Sequence, residues 1–164
     1  MKKQIFKGMK DQILITLKRK LDDISVYRVD VETQRNAVKE ELQFYLLNFI
    51  YHHPDYSNWI MYGGSALRIC YDLPRMSVDL DFEVSHPISD VFLDELKERI
   101  ETHFKDTYNF GPELLTITIT TKRRLLLHFH IGDKLGISHP SKQVHVKIDL
   151  NHFIAPGAVI ERRP

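Results

Sequence analysis

Ser77-Val78-Asp79-Leu80-Asp81-Phe82-Glu83-Val84 alternates polar and apolar residues without a break. A strand sends successive side chains to opposite faces. Val78, Leu80, Phe82 and Val84 therefore face a core, while Ser77, Asp79, Asp81 and Glu83 share the other surface. Residues two apart on a strand are separated by about 6–7 Å, so the carboxylates of Asp79 and Asp81 can reach one or two hard cations, with Mg2+ (or Mn2+) the natural candidate. Two acids this close need a metal, a basic partner or open water to remain ionised together. Taken alone, Asp-x-Asp is also what a solvated strand looks like.

What precedes the acids narrows the choice. Trp59-Ile60-Met61-Tyr62 is a short apolar run, and Ala66-Leu67-Arg68-Ile69-Cys70-Tyr71 has helix formers at helical spacing. The Gly63-Gly64-Ser65 between them reads as a strand-to-helix turn. Glycines there permit unusual backbone angles and close approach of a ligand, and Ser65 can cap the helix. Free N–H groups at a helix start suit a phosphate. Such a turn also serves plain packing. Paired with the acids, it is one half of a site for phosphoryl or nucleotidyl transfer, the turn holding a triphosphate and the acids holding the metal that bridges its oxygens.

The stretch Met61-Tyr62-Gly63-Gly64-Ser65-Ala66-Leu67-Arg68, with the later Leu73-Pro74-Arg75-Met76-Ser77-Val78-Asp79-Leu80-Asp81-Phe82, resembles the AbiEii-type nucleotidyltransferases. These are abortive-infection and toxin–antitoxin toxins within the DNA polymerase beta-like superfamily. The resemblance spans roughly residues 35–155 and is most specific over 61–84. It implies Mg2+-dependent transfer of a nucleotide from an NTP to an acceptor such as tRNA, and a cognate antitoxin as partner. It implies that Gly64 and Ser65 hold phosphates, and that Asp79 and Asp81 bind the metal with a third acid from a later strand. Gly63, Arg75 and Ser77 complete the expected nucleotide-binding set. One departure is Asp72-Leu73, where relatives often carry glycine. Family members also usually continue into a helical part with a lysine and an Arg-Asp cluster, which has no counterpart before Pro164.

Asp149 is the candidate for the third acid. Val144-His145-Val146-Lys147-Ile148-Asp149-Leu150-Asn151 alternates as the first strand does, with Asp149 and Lys147 on the polar side. A carboxylate there can act as general base on an acceptor hydroxyl or help to hold the metal. Lys147 reads as a surface lysine that can also touch phosphate.

The rest of the chain supplies a body for this site. Its 164 residues, 43% hydrophobic, suit a single domain with a sizeable core. We expect residues 1–55 to be mainly helical and 56–155 to form the catalytic-type core. One cysteine excludes an internal disulfide, and no apolar run is long enough for a membrane-spanning helix, so a cytoplasmic setting is the default. Net charge is +1, yet residues 1–20 carry seven Lys or Arg against one acid. Ile5, Phe6, Met9, Ile13, Leu14 and Leu17 fall at helical spacing in this basic arm, which predicts an amphipathic helix packed by its apolar side.

A second helix is expected from 30 to about 52, with Val38, Leu42, Tyr45, Leu46, Phe49 and Ile50 inward. Pro87 and Ser89 open a third, whose Phe92, Leu93, Leu96, Ile100 and Phe104 should cover the strand bearing the aspartates. Strands at 114–121 and 124–131 are joined by Lys122-Arg123 as a tight hairpin. His128, His130, His145 and His152 raise zinc, but without a Cys pair or His-Glu-x-x-His they are ordinary strand histidines. Arg75 can clamp a phosphate or pair with Asp72 or Glu83. Arg68 is expected to face water, and Trp59 and Tyr62 the core.

The fold class that results is α+β, a mixed sheet packed on helices by one face with its polar face and the glycine turn forming a Mg2+–nucleotide groove. Two alternatives to the transferase remain open at this point. One is a non-catalytic nucleotide-binding or interaction module, and the other is a metal-dependent phosphohydrolase.

Overall fold

The computed structural model describes residues 12–153 and 155–163. The part of the basic arm before Gln12, including Ile5, Phe6 and Met9, lies outside the described residues. From Gln12 onward the arm is helical: α1 spans Gln12–Ser25 and buries Ile13 and Leu17. Helix α2 spans Val31–His52 and is capped by Asp30, whose carboxylate accepts from the Thr33 N–H at 2.7 Å. Strand β1 (Ile60–Tyr62) runs directly into α3 (Gly63–Tyr71). Strand β2 is Asp79–Glu83. Helix α4 (Asp90–Tyr108) starts at Ser89, which accepts from Phe92 N–H, and ends on Asn109 in the left-handed region. Strands β3 (Leu115–Thr120), β4 (Arg124–Phe129) and β5 (Val144–Asn151) complete the sheet. A single 3-10 turn, Thr121–Arg123, joins β3 to β4 at the predicted hairpin.

The five strands lie in the order β1-β2-β5-β4-β3. Only the β2–β5 pair is parallel; the others are antiparallel. The fold is therefore the expected α+β arrangement on a mixed sheet. Alternation is strict on both central strands: Leu80, Phe82, Val144, Val146, Ile148 and Leu150 are buried, while Asp79, Asp81, Glu83 and the intervening polar residues of β5 are half-exposed.

The expected placement of α4 needs correction. It packs chiefly on β3, and α2 is the long helix that contacts β5. Periodicity identified the buried face of α4, with Leu93, Leu96, Ile100 and Phe104 fully enclosed, but periodicity carries no information about which strand receives that face. Phe104 anchors the junction: its ring lies 5.6 Å from Tyr108, 6.5 Å from Phe110 and 5.8 Å from Phe129 on β4.

Buried charge fastens the long loop before β5. Arg35 on α2, 6% exposed, donates Nη1 to the Ser141 carbonyl at 3.2 Å and Nη2 to the Gln143 carbonyl at 3.0 Å. The start of β5 is thus tied to α2 by a charged donor on two carbonyls, each bond stronger than a neutral one.

Replacing Phe104 by alanine removes a fully buried ring from the α4–sheet junction, and we expect a loss of about 3–5 kcal/mol, read from urea unfolding followed by circular dichroism.

Candidate active site

The β2–β5 register decides what the polar face looks like. Asp81 stands opposite Asp149, and Asp79 opposite Lys147. On the outer sides, Tyr62 of β1 is opposite Asp81 and Arg124 of β4 is opposite Asp149. One row of the sheet therefore reads Tyr62, Asp81, Asp149, Arg124, with neighbouring strands about 4.8 Å apart. The three acids singled out from sequence are brought together on adjacent strands of one face.

Their partners differ. Lys147 Nζ lies 2.9 Å from Asp79 Oδ2, and Arg124 Nε lies 3.0 Å from Asp149 Oδ1. Asp81 has no cation partner among the described residues. Partial burial and the neighbouring charges of Asp149 and Asp79 push its carboxyl above the ordinary carboxylate value, against the opposing pull of Lys147 and Arg124. An acid held this way gains from any cation that arrives.

The glycine turn abuts the row. Gly63 has φ +75°, which strains any other residue, and a Cβ there would sit 3.0 Å from Asp81 Oδ2 and press on that side chain. At Gly64 a Cβ would meet Ser77 Oγ at 2.9 Å and lie 3.7 Å from an Arg75 terminal nitrogen. Arg75 therefore borders the turn, and among the described residues it has no carboxylate partner, neither Asp72 nor Glu83. No side chain caps the start of α3, whose N-cap position is Tyr62. The first N–H groups of α3 thus remain available at the edge of the acid row.

Ser65 corrects the expected cap. It is the third residue of α3, fully buried, and its hydroxyl contacts the Asp79 carbonyl and, at 3.1 Å, Ser77 Oγ. It pins the helix start to the first residue of β2. Tyr62 is also corrected. Trp59 is buried as expected, but Tyr62 is 38% exposed beside Asp81, and burial together with the nearby acids raises its phenol above the ordinary value. Arg68 does not face water. Its Nε and Nη2 bond the two oxygens of the buried Glu40 at 3.0 and 3.2 Å, and Nη1 bonds the Leu73 carbonyl at 2.9 Å. This fork ties α3 to α2.

The donors suit a hard cation, being carboxylate oxygens on one face. Among the described residues no three His, Cys, Asp or Glu side chains form a ready-made cage. Mg2+ does not need one, since it keeps several waters and takes one or two carboxylates together with substrate phosphates. The histidines instead form a hydrogen-bonded strip further along the same face. His128 and His145, opposite one another, both contact Gln143 Oε1, at 3.2 and 3.1 Å, and His130 contacts Thr116 at 2.9 Å.

Sequence reasoning missed Arg124 as a site residue. Its signal was alternation: as the first residue of an expected strand, it shares a face with His128 and points to the polar side. The contact of Lys147 with Asp79 was equally hidden, because it depends on register.

The family profile described as "Nucleotidyl transferase AbiEii toxin, Type IV TA system" matches residues 45–163. By class, then, the protein is a nucleotidyltransferase. It belongs to the AbiEii toxin family of type IV toxin–antitoxin systems, and the Gly63–Ser65 turn and Asp79–Asp81 strand both fall within the matched region. No characterised protein and no solved structure matches the chain. Among the described residues no helix is long and apolar enough to cross a membrane.

Two variants report on this geometry. Gly63→Ala forces a left-handed residue to carry a Cβ against Asp81, and should cost about 1–2 kcal/mol or more of stability by chemical denaturation. Asp81→Asn should raise the melting temperature at pH 7 in metal-free buffer. The carboxyl of Asp81 binds its proton more tightly folded than unfolded, so its contribution to stability falls as pH rises through the window above the ordinary carboxylate value. Asparagine abolishes that loss, and the advantage of the variant over wild type should shrink as the pH is lowered below about 4.

Proposed function

We propose that the protein transfers a nucleotide from an NTP to an RNA acceptor, with tRNA as the acceptor class, using Mg2+ or Mn2+ held by Asp79, Asp81 and Asp149. The observation that carries this reading is the register that sets Asp81 beside Asp149 on the face bordered by the uncapped start of α3. Bound metal would offset the repulsion among the acids and polarise the phosphates.

The chain's own groups do the positioning. Gly63, Gly64 and Ser65 offer main-chain N–H groups to the phosphates, and the positive end of α3 favours their charge. Ser65 acts through its backbone, because its hydroxyl is already engaged with Asp79 and Ser77. Ser77 serves by supporting that turn from below. Arg75 closes on the phosphates from beside Gly64. Asp149 takes the proton of the acceptor hydroxyl as that oxygen bonds to the α-phosphorus. The bond from the α-phosphorus to the bridging oxygen breaks, and pyrophosphate leaves. The neutralising partner of such a toxin would be a cognate antitoxin, and a cytoplasmic setting agrees with an NTP substrate.

Incubation with Mg2+, each labelled NTP and total tRNA should label the RNA. Asp79→Ala should lower the labelling rate by about 100-fold or more while the far-ultraviolet spectrum is unchanged. Nucleotide binding without labelled RNA would point to a non-catalytic module, and release of free phosphate to a hydrolase. Either result overturns the proposed transfer to tRNA.

A further inference from the structure

Several arginines pair with acceptors inside this fold, and Arg35 and Arg68 each commit both terminal nitrogens. Arg35 spends both terminal nitrogens on carbonyls, and Arg68 sets Nε and Nη2 on the two oxygens of Glu40 with Nη1 on a carbonyl. Arg124 is different. Only its Nε–H is engaged, split between Asp149 Oδ1 at 3.0 Å and Oδ2 at 3.1 Å. Nη1 and Nη2 have no hydrogen-bond partner among the described residues, and the side chain is 34% exposed.

One N–H shared between two oxygens is a weaker hold than two parallel bonds from a guanidinium fork. The fork itself, the part of arginine that matches phosphate, is left open. Its position is also informative. Arg124 ends the row whose other members are Asp149, Asp81 and Tyr62, and the glycine turn meets that row at Asp81. A nucleotide whose phosphates lie on the turn and whose metal lies on the acids is therefore flanked by Arg124. The Asp149 oxygens that receive Nε–H are the atoms a divalent ion needs, so Arg124 and the ion compete for them.

We propose that Arg124 is an exchangeable counter-ion: it neutralises Asp149 in the metal-free site and turns its open fork onto the nucleotide phosphates when a divalent ion takes Asp149. The residue thereby links metal binding to nucleotide binding. This rests on the metal and nucleotide roles proposed above for the acid row. Removing Arg124 has effects of opposite sign on the two ligands, which a residue that merely orients Asp149 does not produce.

The test is direct binding to the full chain. Mn2+ alone is titrated by electron paramagnetic resonance, and NTP analogues with a non-transferable α–β bridge are titrated by calorimetry with Mg2+ present. Arg124→Met should bind Mn2+ several-fold more tightly than wild type and the preferred analogue about tenfold or more weakly, the size of a lost charged hydrogen bond. Arg124→Lys keeps a positive charge by Asp149 without the fork. It should bind Mn2+ within about twofold of wild type and still lose most of the analogue affinity. Melting curves establish that both variants are folded, and Arg124→Lys carries the test if Arg124→Met is not. Mn2+ affinity that falls in Arg124→Met overturns the proposal and makes Arg124 an orienting partner of Asp149. Unchanged analogue affinity in either folded variant also overturns it. Failure of wild type to bind Mn2+ at all removes the acid-row reading itself, and this proposal with it.

Discussion

Parallel pairing of Asp79–Glu83 with Val144–Asn151 sets Asp79, Asp81, Glu83 and Asp149 on one surface while sending Leu80, Phe82, Ile148 and Leu150 into the core. Because side chains alternate with a period of two, a slip of one residue on either strand would exchange these sets. An ionised carboxylate forced into an apolar interior without a partner costs several kcal/mol, comparable with the whole stability of a small domain. The apolar halves of the two strands therefore fix the alignment of the acidic halves. Core packing and site assembly are one constraint viewed from two faces of the sheet.

Fixed charge is divided by task. Arg35 and Arg68 work at a distance from the acid row, one anchoring the approach to β5 and the other tying α3 to α2 through the buried Glu40. Breaking either would leave a buried charge or carbonyl without its partner. On the polar face the pairs are half-exposed, and Asp81 is left without one. Closed pairing in the scaffold set against incomplete pairing on the acid face is the kind of charge arrangement that accompanies candidate functional sites.

Much of this was legible in the sequence. Strict alternation announced β2 and β5, the apolar stripe from Val38 to Ile50 announced α2, Pro87 and Ser89 announced the start of α4, and the acids came with their glycine turn already in sight. What escaped depends on contacts between segments distant in the chain. An amphipathic helix states which side it buries and not what it buries against, so α4 was assigned to the wrong strand. Arg68 looked like a solvent residue because Glu40 lies on another helix. Tyr62 looked like core because it ends an apolar run, yet the chain turns into α3 immediately after it and leaves the ring beside Asp81. Arg124 was invisible as a site residue until β4 was known to lie next to β5 with Asp149 across from it.

The wide separation of β2 and β5 along the chain has a consequence for synthesis. A ribosome that has completed the β3–β4 hairpin has already delivered Asp79 and Asp81, but the strand destined to lie between β2 and β4 has yet to be made. Until it emerges, the two halves of the sheet cannot join, and closing so distant a contact is slow compared with helix formation. Asp149 enters near the end of that strand. The row that sets Asp81 beside Asp149 is thus completed only as the sheet is sealed.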